Sequence, residues 1–578
     1  MAPTVETTGP AAAAKTPIGP RVVLSLIAAI TGAAGLIYEY LLATTSSYLI
    51  GDSIVRFSIT ICLMMLMMGA GTFFQRFIPD RLLLVAFIGT EIALCLMGAF
   101  APIANVAAFA YMTDQYDLVQ YAFIIGIGLA IGLEIPLAAR LNERFEERLK
   151  VNLAHIVGMD YIGAAVGGIL WVIMLHMLIP ITAMSFYVGA ANLFVATLAF
   201  AYFWRWGMLK KLGKIIGTIA LCVVLGSLAA GYTNIGSMTA QANQAMYLDP
   251  IALNVTTPYQ NIVITNRQNP SDVRLYINGN TQFSSTDEFR YHESMALPAL
   301  TMMPHKRVLI LGGGDGLLLR EVEKYKDVQS ITLVDLDPEM IRLASTYPLL
   351  TQLNHNSFKD ARVFATTSGV QKQEQTTPVY ANTGERMRHK NGTYSDVTQQ
   401  IATVHVYTVD AFKFVHARPG LYDVVFIDLP DPNSVELAKL YSQQFYAMVR
   451  GVMTPDGVLV VQSGSPFHAR EAFVCVGKTI ATAGFTTLQY HVDIESFGDW
   501  GFTMAFPNRN INPMALVSHR LAGLRTWPVP TQYLVDGNSF MAQLSFGKGT
   551  LDGTGIFPST LENPTILNYY VYSGWKID

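Results

Sequence analysis

Seven apolar runs occupy the first 234 residues, near positions 22–42, 55–75, 82–103, 117–138, 160–179, 181–204 and 215–233. Each suffices for a helix that crosses a bilayer, which takes about 20 residues. Between Tyr161 and Trp204 there is not one formal charge, a stretch no water-exposed helix pair would tolerate. The pattern predicts an all-α transmembrane bundle of seven spans over 21–234. Residues 1–20, rich in Ala, Thr and Pro, read as a flexible cytoplasmic tail without the basic start or cleavage site of a signal peptide. After 234 the period shortens. Ile262, Val263, Ile264 and then Val273, Leu275, Ile277 read as strands, with Asn278-Gly279-Asn280 as a hairpin signal, so 235–300 is expected to hold a small antiparallel β domain. From Arg307 the rhythm is strand, turn, helix, strand, the start of a Rossmann-like, doubly wound parallel α/β sheet over 301–506. A C-terminal extension covers 507–578.

Composition sharpens this division. The chain of 578 residues is 51% hydrophobic and 14% charged, against roughly a quarter charged in soluble domains. Only 25 charged residues lie in the first 234 positions, and 56 in the remaining 344. Net charge of −3 shows no basic footprint for nucleic acid. Cys62, Cys95, Cys222 and Cys475 are too scattered for a disulfide framework or a zinc site.

Basic residues resist translocation. Alternate loops hold Lys15, Arg21, Arg76, Arg81, Arg140, Arg144, Arg148, Lys150, Arg205, Lys210, Lys211 and Lys214, whereas the opposite loops hold only Arg56. That bias predicts a multi-pass protein of the cell (inner) membrane, in the lipid bilayer with its N-terminus cytoplasmic. Seven spans then put the soluble half outside, and one span more or fewer would reverse its side. Among the ionisable residues of the runs, Glu39, Glu134 and Asp160 read as span-end groups that reach interfacial water, while Glu91 is the candidate for a pathway. The glycines Gly126, Gly128 and Gly132, and Gly163, Gly167 and Gly168, read as close-packing positions.

In the soluble half, Gly312-Gly313-Gly314-Asp315-Gly316 follows a strand and opens a helix, a loop that lets backbone approach a nucleoside. Asp315 inside it would repel a pyrophosphate or a carboxylate, which points to a cationic ligand; its alternative is a helix cap. Further acids stand where strands end: Asp335, Asp410, Asp428 and Asp431. Ligands gather at the carboxyl ends of strands in open α/β sheets. Five acids at such ends, without metal-binding histidines, suit a polycationic substrate and no metal.

These residues belong to longer motifs: Pro258-Tyr259-Gln260, Thr286-Asp287-Glu288-Phe289 with Tyr291-His292-Glu293, the glycine loop, Asp410-Ala411-Phe412, Asp428-Leu429-Pro430-Asp431-Pro432, Gln462-Ser463-Gly464-Ser465-Pro466 and Trp500-Gly501-Phe502. In this order they resemble the spermidine synthase (polyamine aminopropyltransferase) family, and the whole chain resembles its multi-pass membrane branch. The resemblance implies transfer of an aminopropyl group from decarboxylated S-adenosylmethionine, a co-substrate, to a diamine such as putrescine. No cofactor is permanently bound. It implies Asp428 as general base, Tyr291, Asp428 and Asp431 as diamine contacts, and Gln260, His292, Asp315, Asp335, Asp410 and Ala411 as the donor site. Asp335 would take the ribose, Asp410 the adenine amino group and Asp315 the propylamine. His292 has a second reading as a polar core residue. A homo-oligomer is left open.

The chain departs from the family pattern at Asp335, where Glu is usual, and at Phe497, where many members carry a diamine-contacting Tyr. A polar insertion over 365–402 reads as a mobile surface loop. Two alternatives stand beside the aminopropyltransferase: a methyltransferase on the same fold, and a polyamine transporter or sensor with a synthase-like soluble domain.

Overall fold

The computed structural model describes residues 19–50, 53–143, 148–177, 179–205, 207, 209–359, 363–367, 379–388, 394–401, 403–571 and 573–574. The chain forms two compact units that divide between Leu248 and Asp249.

The first unit is helical: α1 (Gly19–Ile50), α2 (Ser53–Phe74), α3 (Leu83–Tyr111), α4 (Tyr116–Asn142), α5 (Leu149–His176), α6 (Ile181–Arg205) and α7 (Lys211–Ala245). All seven are long and apolar enough to cross a membrane. They remain apolar on outer faces, where Leu66, Phe73, Ile169 and Val223 are exposed. The seventh helix runs past the apolar run that ends near 233 and continues to Ala245.

Glycine seams let the helices close. A Cβ on Gly163 or Gly167 would strike the backbone of Ala29 or Ala33 on α1, and one on Gly132 would strike Met68 on α2. Gly128 faces Met64 and Met67, Gly126 faces Met97, and Gly168 faces Leu36. Charges pair at both ends. Arg56 at the start of α2 bonds Asp117 at the start of α4 at 2.6 Å, and Arg140 near the end of α4 bonds Asp80 between α2 and α3. An up-and-down arrangement accounts for both pairs. Glu134 differs from expectation: it is 3% exposed in the bundle interior, not at a span end that reaches water. Glu91 is also buried and accepts from Asn192 Nδ2 at 2.9 Å, while Tyr38 donates to Asn192 Oδ1 at 2.8 Å.

The second unit begins with an antiparallel sheet of β1 (Ile251–Thr256), β2 (Asn261–Gln268), β3 (Ser271–Ile277) and β4 (Asn280–Ser284) in that order. Asn278 and Gly279 both have positive φ, 49° and 80°, the geometry that a two-residue type I′ hairpin needs. Ile262, Ile264, Leu275 and Phe283 share one core with α8 (Glu288–Met302) and the large sheet.

The large sheet contains β5 (Arg307–Gly312), β6 (Ser330–Asp335), β7 (Val363–Thr367), β10 (Thr403–Thr408), β11 (Tyr422–Asp428), β12 (Met453–Gln462), β13 (Thr486–Ile494) and β14 (Gly498–Phe506). Its order is β13-β14-β12-β11-β5-β6-β10-β7. Six strands are parallel, and β14 joins antiparallel to β12 and to β13, so the sheet is mixed rather than purely parallel. The central strands are buried except at one end residue each, Arg307, Asp335 and Asp428, which are half-buried, as expected for strands covered on both faces. Helix α9 (Leu317–Glu323) follows β5, and α10 (Pro338–Thr346) follows β6. Strand order reverses at β5, where Gly312 lies opposite Asp428 of β11. This is the switch point at which such sheets bind ligands.

Within the polar insertion the described residues are strands rather than loop. Residues of β7 pair with β10, and β8 (Val379–Arg388) pairs antiparallel with β9 (Tyr394–Ile401). Asn391-Gly392, between them in sequence, is a hairpin signal. Positions 368–378, 389–393 and 402 lie outside the described residues.

Candidate active site

The glycine loop is shaped by sheet sterics. Gly312 and Gly313 have φ of 87° and 64°, a left-handed region costly for other residues. Gly313 N–H donates to the carbonyl of Asp428 at 3.1 Å, and a Cβ on Gly313 would lie 3.3 Å from Asp428 Oδ2. The loop is therefore tied to the tip of β11, with the Asp428 carboxylate beside it.

Tyr291, 9% exposed on α8, donates from its hydroxyl to Asp428 Oδ1 at 2.6 Å. Burial raises the Asp428 carboxyl above its ordinary range, while His292 and the Tyr291 hydrogen bond hold it back. His292 follows on the same helix. Its Nδ1 contacts Glu288 Oε2 and the Glu288 carbonyl, each at 2.8 Å. Glu288 is gripped on its other side by Arg320 of α9, at 2.7 and 3.0 Å. Burial works to raise the Glu288 carboxyl, but His292 and Arg320 overcome it and bring it down to about 2.

Asp315 accepts the N–H of Leu317 on Oδ1 at 2.8 Å. It thus bonds the first residue of α9, but the N-cap itself is Gly316, so Asp315 is not the helix cap of its alternative reading; it also faces the site, where His292 and Asp428 act on its charge. Burial pushes it up to about 6. Asp335 at the end of β6 accepts from the N–H groups of Gly314 at 3.1 Å and Asp337 at 2.9 Å, and burial likewise pushes it up to about 6. Gln260, before β2, donates to Asp337 Oδ2 at 2.9 Å, beside Thr257 at 2.8 Å.

Asp410, after β10, caps the helix Ala411–His416 through the N–H groups of Phe412 and Lys413, and Ala411 is buried beside it. Lys439 binds Asp410 Oδ2 at 2.6 Å. Burial would raise this carboxyl, yet Lys439 and the two N–H groups carry it below its ordinary value. Asp431 accepts from Gln462 Nε2 at 3.1 Å on Oδ1 and from the Tyr570 hydroxyl at 2.6 Å on Oδ2. Burial raises it too.

The Spermine/spermidine synthase domain matches residues 288–371 and 387–514. Polyamine aminopropyltransferase 1 of Streptomyces coelicolor is 36% identical over 96% of this chain and 95% of its own. Polyamine aminopropyltransferase 2 of Ralstonia nicotianae is 32% identical over 95% of this chain and 97% of its own. The chain belongs to the polyamine aminopropyltransferase family. It is a spermidine synthase-type transferase. A crystal structure of spermidine synthase from Thermotoga maritima aligns with TM-score 0.40 and 23% identity, over 52% of this chain and 87% of that one.

In this aminopropyltransferase the expected residues sit on the elements assigned to them. Tyr291, Asp428 and the glycine loop meet directly, and Asp315 and His292 lie within electrostatic reach of Asp428. Gln260 reaches Asp335 only through Asp337, and Asp410 is engaged with Lys439. Glu288 and Gln462 stand in the quoted motifs without an assigned role, and Arg320, Asp337 and Tyr570 were given none. Asp337, 1% exposed, had a signal: Asp337-Pro338 is a helix start with Pro in the first turn. Tyr570 had none, because nothing local links it to Asp431. Phe497 packs against Trp500 at 5.3 Å between ring centroids.

Among the described residues, no three His, Cys, Asp or Glu side chains form a group that could hold a metal ion.

Proposed function

We propose that the chain transfers the aminopropyl group of decarboxylated S-adenosylmethionine to a diamine, with putrescine as the first candidate acceptor and methylthioadenosine released. The observation that carries this reading is the half-buried Asp428 carboxylate, held on Oδ1 by Tyr291, with Oδ2 beside Gly313. A sulfonium is a good leaving group, so the protein has to align an amine and keep it unprotonated. The amine nitrogen attacks the carbon next to sulfur, the carbon–sulfur bond breaks with its electron pair going to sulfur, and the new ammonium passes a proton to Asp428. Asp431 takes the amine's far ammonium and Asp315 the donor's propylamine. Asp335 and Asp410, with Ala411, hold ribose and adenine, and Gln260 and His292 complete the donor site.

Asp315 counts against a methyltransferase, since a carboxylate there opposes the carboxylate of intact S-adenosylmethionine. The α-helical half anchors the enzyme in a bilayer, and the α/β half, preceded by its small β sheet, is the catalytic domain. Purified full-length protein, supplied with labelled donor and a panel of diamines, should release methylthioadenosine. Absence of release with every amine would reject the reading.

A second reading, polyamine passage through the helical half, draws on the buried Glu91, Asn192 and Tyr38 chain. Vesicle flux unchanged by Glu91→Gln would dismiss it.

A further inference from the structure

The C-terminal extension, 507–578, runs past residue 514, where the matched domain ends, and it reaches the site. Tyr570, on the helix Thr565–Val571, donates to Asp431 Oδ2 at 2.6 Å. Gln462 Nε2 holds the other oxygen at 3.1 Å and also bonds the carbonyl of Leu429 at 2.8 Å and the hydroxyl of Tyr441 at 2.5 Å. Tyr441 in turn donates to the carbonyls of Leu429 and Pro430. The loop that carries Asp431 is therefore fixed from two sides, one of them the extension.

This is not the contact of a loose end. Glu293 of α8 accepts the N–H groups of Gln532, Tyr533 and Leu534. Gln543 Nε2 donates to Ser294 Oγ at 2.9 Å, and Lys478 donates to the carbonyls of Gly553 and Ile556. The N–H of Ser559 bonds Thr479 Oγ1 at 2.9 Å, and Ile566 is fully buried one turn before Tyr570. The extension is pinned at intervals along the catalytic unit, so the position of the Tyr570 hydroxyl is determined by packing.

Both side-chain donors to Asp431 among the described residues are neutral. They orient the carboxylate without cancelling its charge, and a buried charge so placed gains from an arriving cation.

We infer that Tyr570 is a specificity-determining residue for the acceptor amine: by fixing Asp431 it sets the distance between the attacking nitrogen at Asp428 and the far ammonium, and hence the length of amine accepted. The inference rests on the aminopropyltransferase reading. Phe at 570 would keep the ring and remove the hydroxyl, freeing one carboxylate oxygen to turn away from the amine.

The test measures methylthioadenosine release by the full-length wild type, Tyr570→Phe and Tyr569→Phe with putrescine and its homologues one carbon shorter and longer. Tyr569 belongs to the same helix, but its hydroxyl accepts the N–H of Phe557 at 3.1 Å instead of touching Asp431. The expected result for Tyr570→Phe is a rise in diamine KM of about 10- to 100-fold, the range for losing a hydrogen bond to a charged group. Preference among the three lengths should weaken while the donor KM holds, and Tyr569→Phe should follow the wild type. An unchanged diamine KM with unchanged length preference would overturn the inference, as would a parallel loss for donor and diamine, which would mark Tyr570 as merely structural. Failure of the aminopropyltransferase reading is distinguishable, because the wild type itself would then release nothing with any amine.

Discussion

The Tyr291 hydroxyl donates to Asp428 Oδ1 at 2.6 Å across the junction of α8 and β11. Two elements far apart in sequence are thereby locked at the switch point of the sheet, and the carboxylate is turned so that Oδ2 stands beside Gly313. An acid in this position can take a proton from an amine presented over the glycine loop. Asp428→Asn should reduce kcat by about 10²- to 10⁴-fold, the usual contribution of a general base. Tyr291→Phe should cost less, because it leaves the base in place and loosens only its orientation. Methylthioadenosine release at saturating substrates measures both, and an Asp428→Asn variant with wild-type kcat would remove Asp428 from its role.

Acidification should weaken donor binding before it damages the fold. Burial pushes Asp315 and Asp335 up to about 6. Both are charged at pH 7 and become neutral as pH falls through 6, when their hold on a cation and on ribose hydroxyls fades. The donor KM should therefore rise between pH 7 and pH 5. For stability the sign is opposite. A group whose folded pKa is raised favours the fold while protonated in both states, below its unfolded value, and loses that contribution as pH rises through the folded value. The ligand-free enzyme should thus lose stability as pH rises from about 4 to about 6 and change little from there to pH 7, and a cationic ligand should restore more of it at pH 7. Thermal melts across this window, with and without donor, test both statements. A donor KM independent of pH would show that these acids do not face the ligand.

Glu288 joins the motif helix to the glycine-loop helix through His292 and Arg320. Replacing one member of a buried ion pair strands the other, at a cost of about 3–5 kcal/mol. Glu288→Ala should lower the melting temperature measurably and also weaken donor binding, since His292 Nδ1 loses the carboxylate and keeps only the carbonyl of residue 288. Arg320 retains Glu321 at 3.0 Å and the Leu353 carbonyl at 2.9 Å, which places the expected loss toward the lower end of the range. A melting temperature equal to wild type would show that the pair contributes nothing net.

How much was legible beforehand depended on the range of the signal. The seven helices were readable because crossing a bilayer requires an uninterrupted apolar run, and no soluble alternative competes. The strands of the parallel core and the acids at their ends were readable because strand length and turn residues are local. Glu134 was misplaced, since distance along a span does not reveal which neighbours enclose it; Tyr38 on α1, Glu91 on α3 and Asp160 on α5 face it. The insertion was read as loop although Asn391-Gly392 was a hairpin signal. Tyr570 and Gln462 could not be assigned from spacing, since their contact with Asp431 joins segments more than 100 residues apart for one and 31 for the other. Such relations arise only when the chain packs.

The remaining prediction concerns sidedness. Of thirteen basic residues in and around the short loops, Arg56 alone stands against the bias, and its charge is offset by Asp117 at 2.6 Å. Arg56 and Asp117 open α2 and α4, while Arg140 and Asp80 meet near the end of α4 and before α3, as alternating passes require. If all seven helices cross, the basic-loop bias predicts the N-terminus inside and the chain after α7 outside. A reporter fused after Asp578 that fluoresces only in the cytoplasm should stay dark, whereas one that matures only outside should be active. Arg76, Arg81 and Arg140 changed together to Gln should weaken that orientation and raise the cytoplasmic signal, because they remove basic charge after α2 and at the end of α4, two connections on the same side. A bright cytoplasmic reporter in the wild type would reverse the assignment and place the catalytic unit inside.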